Sequence, residues 1–131
     1  MLRTAPLLLL LAAPVLAGDT WPEFRGPTGD GHAAGSKPPA RWSEAENVRW
    51  KTAVHDKGWS SPVVWGKQVW LTTGTEDGSK LYAVCVDRDS GKVVHDLPLF
   101  DVADPPDIKQ YNSHASPTPA VEEGRVYAHF G

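Results

Sequence analysis

The sequence predicts an all-β chain built from an antiparallel, four-stranded unit that recurs, and three observations carry that expectation. From Ser61 onward, short runs of β-branched and aromatic residues alternate with Gly, Asp and Ser clusters, the pattern of strands joined by tight turns. The stretch GWSSPVVWGKQVWLTTG (58–74) has a rougher echo in ASPTPAVEEGRVYAHFG (115–131). Without a gap, Pro62 aligns with Pro119, Val64 with Val121, Val69 with Val126 and Gly74 with Gly131, while Trp70 falls on Tyr127 and Ser61 on Thr118. The offset is 57 residues (119 − 62). A second spacing, 45 residues (93 − 48), places Val48-Arg49-Trp50 over Val93-Val94-His95. A four-stranded repeat of about 45 residues has the period of a β-propeller blade. The expected architecture is therefore a partial β-propeller: one complete four-stranded blade plus flanking strands of its neighbours.

Each segment has its own reason. Residues 1–17 read as a signal peptide: Arg3 precedes an apolar run that ends in Val15-Leu16-Ala17, small at −3 and −1 relative to a cut before Gly18. A membrane span needs about 20 apolar residues, and Asp19 closes this run too early. Export without a stable membrane anchor is the expectation. Residues 18–46 form an extended leader, and 47–53 a closing strand. The blade occupies 61–96, with strands at 62–65, 68–73, 81–86 and 93–95. Its turns are Gly66-Lys67 (Gly first, as a tight hairpin prefers), Glu76-Asp77-Gly78-Ser79 and Asp87 through Lys92. An insertion rich in Asp and Pro fills 97–115 and accounts for the longer second spacing. Residues 117–130 begin the next blade. One blade cannot bury both faces of its sheet, so the chain reads as a truncated propeller with open edges that invite self-association. A self-contained Trp-rich β-sandwich is the alternative.

Composition narrows the function. The formal net charge of −3 argues against nucleic acid, whose binding leaves a basic footprint. Cys85 is the single cysteine, so no internal disulfide forms, and its neighbours Val84 and Val86 mark a buried thiol. Asp87-Arg88-Asp89-Ser90-Gly91-Lys92 lacks the third ligand and distal Glu of a Ca²⁺ loop, and reads as a turn. Gly26-Pro27-Thr28-Gly29-Asp30-Gly31 lacks the strand, Lys and helix of a phosphate cradle. The five histidines (32, 55, 95, 114, 129) have no zinc-ligand spacing, and no Gly-x-Ser-x-Gly elbow is present. No catalytic set and no metal site is read.

The stretch Gly78 to Val94 (GSKLYAVCVDRDSGKVV) resembles the pyrroloquinoline-quinone-like (PQQ-like) propeller repeat, in which Leu-Tyr-Ala-Leu-Asp-x-x-Thr-Gly-Lys-Val-x-Trp follows a Ser-Pro-Val-Val strand. The likeness runs from Ser61 to His95, with Asp87, Ser90, Gly91 and Lys92 on its most specific part. His95 stands where the family closes on Trp, although Trp50 holds that place in the preceding strand, and Cys85 departs as well. The leader, from Trp21-Pro22-Glu23-Phe24-Arg25-Gly26 to Trp42, is similar to exported bacterial members. The resemblance implies a periplasmic or extracellular propeller acting as a non-catalytic binding or scaffold module for protein or glycan. A quinoprotein dehydrogenase holding PQQ with Ca²⁺ is a second implication, but those relatives carry adjacent cysteines that this chain lacks. In a propeller, residues leading into each first strand ring the channel mouth. Here those are Trp59 and Ser60 in one blade and Asn112, Ser113 and His114 in the next, a stacking ring beside hydroxyl, amide and imidazole groups that suits a flat or sugar-like ligand. The competing reading has Trp59 packed between blades and Asn112 tying a turn.

Overall fold

The computed structural model of the chain describes residues 20–131, and among them the regular structure is strand alone, without a helix. The signal segment expected at 1–17 lies outside the described residues. Seven strands make two antiparallel sheets. β1 (Thr20–Trp21), β2 (Val63–Trp65), β3 (Gln68–Gly74), β4 (Lys80–Asp87) and β5 (Val93–Asp101) form a five-stranded sheet in that order, and β6 (Ala120–Glu122) pairs with β7 (Arg125–Tyr127) in a separate hairpin. The all-β, antiparallel expectation holds.

The turns follow from local chemistry. Gly66 takes φ 57 at the first position of the β2–β3 connection, where a side chain would be strained. Between β3 and β4, the Asp77 carboxylate accepts from the Thr75 hydroxyl at 2.6 Å and from the Ser79 amide at 3.0 Å. Between β4 and β5, Asp87 accepts from the Ser90 amide (2.8 Å) and hydroxyl (2.6 Å), which holds its carboxyl below the usual range. That carboxylate is spent on the turn, as the sequence reading of 87–92 required.

Register sets two faces. Val63, Trp70, Cys85 and His95 lie opposite one another across β2 to β5, and they share one face. Val63, Trp70, Ala83 and Cys85 form a core there with Val121 of β6, flanked by Trp65 and Val126. Trp70 also stacks on His95 at 5.6 Å and 6°. Burial of each large apolar side chain contributes about 1.5–3 kcal/mol, so this shared core is what seats the second hairpin on the sheet. Cys85 is fully buried, and burial pushes its thiol up to about 11.

Three boundaries shift. The segment 47–53 forms no ladder in this chain. Asn47 turns the chain at φ 59, and 50–57 then crosses the other face side-on. It is held there by the Trp50 indole N–H donating to Arg88 O (2.8 Å) and by the Thr52 hydroxyl donating to Gly91 O. Secondly, β5 runs on to Asp101, into the expected insertion, because β4 begins at Lys80 and offers partners that far. Pro98 is tolerated because β5 is an edge strand, and a register shift near Leu81 and Tyr82 absorbs it. Thirdly, the leader is not only extended: Thr20 and Trp21 pair with Trp65 and Val64, and Val121 N donates to Pro22 O at 2.8 Å. The leader thus caps the free edges of β2 and β6 together.

Candidate functional site

The residues leading into β2 and those leading into β6 meet at the end of the sheet that carries the β3–β4 turn. Backbone donors come first: Trp59 N and Ser60 N both donate to Ala115 O, at 3.1 and 3.2 Å. The side chains then lock the seam. Ser113 Oγ donates to Lys57 O (3.1 Å) and accepts from Ala115 N (3.0 Å). Ser60 Oγ accepts from Thr72 N at 3.0 Å, and Ser116 Oγ donates to Asn112 Oδ1. Small hydroxyl residues suit these positions because each satisfies a backbone group that would otherwise be buried unpaired.

Two glycines show how closely the seam is fitted. A Cβ on Gly58 would overlap Thr72 O, and a Cβ on Gly78 would overlap the His114 imidazole. Gly78 also sits at φ 74, so the β3–β4 turn can close over His114 only without a side chain. His114 is 7% exposed and Ser113 2%. Asp77, on that turn, is held at about 2 by the Thr75 hydroxyl and then by the Ser79 amide and hydroxyl.

Of the five residues expected at the channel mouth, the structure brings Ser60, Ser113 and His114 into one buried seam and joins Asn112 to it through Ser116. Trp59 stands apart at 60% exposure, so it does not pack between sheet and hairpin. Tyr111, beside Asn112, is 86% exposed. The seam's hydroxyls are bonded to the chain itself, and Trp59 and Tyr111 are exposed beside it.

Sequence reasoning missed a neighbouring polar cluster. His55 Nδ1 lies 2.7 Å from Asp56 Oδ2, and its Nε2 lies 3.0 Å from Asp96 Oδ1. The ring meets Tyr82 edge-on at 4.8 Å. These carboxylates, Asp56 first, raise the histidine above its ordinary 6.5. A cavity of about 170 Å³ opens beside it, lined by His55, Asp56, Ser60 and Thr73 among others. Thr73 is 2% exposed, and its hydroxyl is the one buried side-chain polar atom without a partner among the described residues. The adjacency of His55 and Asp56 is visible in the sequence. The third member, Asp96, is 41 residues away and has no local signal.

A larger cavity, about 770 Å³, lies at the opposite end of the sheet, between the leader, Val64 of β2 and Arg88 of the β4–β5 turn. No group of three or more His, Cys, Asp or Glu side chains with metal-binding geometry occurs among the described residues. Comparison of the chain with family models, with curated proteins and with solved structures returned no match.

Proposed function

We propose that the chain is part of an exported propeller of PQQ-like repeats that binds protein or glycan and performs no chemistry of its own. The observation that carries this reading is a contact between repeat-equivalent residues. Ser61 N donates to Thr118 Oγ1 at 3.1 Å, and these two residues are 57 apart, the offset of the repeat itself. In a fan of blades, equivalent residues meet where the first strands approach the axis and separate outward. β2 and β6, the first strands of the two copies, lie side by side in this way and share the Val63–Val121 core.

Trp50 adds a second support. It holds the place in its segment that His95 holds in the blade, and it docks on the β4–β5 turn with Gly91 beneath its ring. A Cβ at Gly91 would sit 2.6 Å from that indole. A side chain reaching from one repeat onto the glycine turn of the next is how stacked repeats stabilise each other.

What the seam does with its polar groups supports binding over catalysis. The hydroxyls of Ser60, Ser113 and Ser116 hold backbone and amide partners, whereas Trp59 and Tyr111 face outward. Exposed Trp and Tyr are the side chains that most often anchor recognition. The test compares the chain with a Trp59→Ala/Tyr111→Ala double variant, both assayed for retention on immobilised polysaccharides and on the envelope proteins of its host. Retention that drops about tenfold in the variant supports the reading. Equal retention would place the binding surface elsewhere.

A further inference from the structure

We propose that the 770 Å³ cavity between the leader and the first blade is a binding site for a neutral, polyhydroxylated ring, a sugar of the pyranose type. The inference rests on the reading of the chain as a binding module, and it adds a glycan subsite at the end of the sheet opposite the seam.

The size is that of a ligand pocket, which commonly spans about 300–1,000 Å³. Its wall includes Trp21, whose place is fixed from two sides. Trp21 pairs with Val64 across β1 and β2, and Gly26 packs against its six-membered ring so closely that a Cβ there would sit 2.7 Å from the ring carbons. Aromatic rings held in this manner are platforms for the apolar face of a sugar. The small residues Ala33, Ala34 and Gly35 also line the cavity, together with the polar residues Thr28, His32 and Ser36.

The same loop argues against an anion. An anion cradle needs backbone amides aimed at the ligand, and here four of the loop's amides are spent on the chain itself. Gly29 N donates to Gly26 O, Gly31 N to Arg25 O and Ser36 N to Ala33 O. His32 N donates to the Asp30 carboxylate at 2.9 Å, which also accepts from Thr28 Oγ1 at 2.6 Å and pairs with the His32 ring at 3.2 Å. The Asp30 carboxylate, bonded to two residues of the lining, disfavours phosphate. Thr28 Oγ1 donates to Asp30 and Ser36 Oγ to Ala33 O, so both hydroxyls keep lone pairs that suit the donor hydroxyls of a sugar.

The experiment is a titration of the full chain with cellobiose, maltose and chitobiose, followed by tryptophan fluorescence, with inorganic phosphate run in parallel. One of the disaccharides is expected to give a saturable change, weakened about tenfold or more by Trp21→Ala, which removes the platform. Ala34→Leu, which fills the cavity without touching the sheet, should weaken it similarly, and this variant guards against misfolding of the first. Trp42→Ala, which removes an exposed indole outside the lining, should leave it unchanged. Loss in Trp59→Ala with retention in both cavity variants would overturn the cavity site while leaving the binding function intact. No response to any of the three sugars at millimolar concentration, or a response to phosphate instead, would overturn the proposal.

Discussion

Trp70 and Tyr127 hold the same place in the two copies of the repeat, yet Trp70 is 6% exposed and Tyr127 52%. Both satisfy their polar tip within their own hairpin: Trp70 Nε1 donates to Gln68 Oε1 at 3.1 Å, and the Tyr127 hydroxyl donates to Glu122 Oε1 at 2.5 Å. Local chemistry therefore does not separate them. What separates them is the next layer. The β6–β7 hairpin covers Trp70, and among the described residues no strand pairs beyond β7. Burial here is conferred by the neighbouring hairpin, and the strand's own sequence only makes it possible.

The comparison breaks most sharply at the aromatic pair. Trp70→Ala should cost about 4 kcal/mol, because it empties the core shared by both copies, whereas Tyr127→Ala should stay within about 1 kcal/mol. Denaturant midpoints of the two variants measure the difference, and equal losses would mean the copies do not share a core. Gly78→Ala comes next. It forces a side chain into φ 74 and into the His114 ring, and about 3 kcal/mol of lost stability is expected. The β6–β7 turn, which corresponds to the β2–β3 turn and not to the Gly78 turn, has Gly124 with open space around its Cβ position, so Gly124→Ala should cost only its φ strain, about 1 kcal/mol. Ser113→Ala would leave Ala115 N unpaired in the seam, while Lys57 O keeps its bond from Gly74 N, at a cost of about 1–2 kcal/mol, readable by thermal melting.

The smallest effect concerns pH. His55 is tied to Asp56 and Asp96 more strongly when charged, and its folded-state value lies above 6.5. Its contribution is therefore complete below pH 6.5 and is lost as pH rises through the raised value. The chain should melt at a higher temperature in mildly acidic buffer than at about pH 8, and His55→Asn should flatten that slope. A slope unchanged in the variant would show that the cluster does not secure 50–57 to the sheet.

The sheet was legible where its signals are local. Gly66, Asp77-Gly78 and the 87–92 turn each carry their reason within a few residues, and β2, β3 and β4 follow from them. Residues 47–53 misled because Val48 and Trp50 look like strand residues, while Trp50 is in fact used to dock on a turn 38 residues away. β1 is two residues long and exists only because β2 has a free edge. The candidate site divides in the same way. That Ser60, Ser113 and His114 would come together could be read from their places before equivalent strands. Their burial could not, because it depends on Lys57 O reaching Ser113 across 56 residues.

The central claim is that the two copies stand side by side with their first strands in contact at Ser61 and Thr118. A Ser61→Cys/Thr118→Cys variant tests it directly, and Cys85 will not interfere because its thiol is buried and held near 11. Under mild oxidation the pair is expected to close within one chain. Closing a loop of 57 residues should raise stability by about 4 kcal/mol. Two free thiols after oxidation, or bonds formed only between chains, would contradict the packing of the repeats.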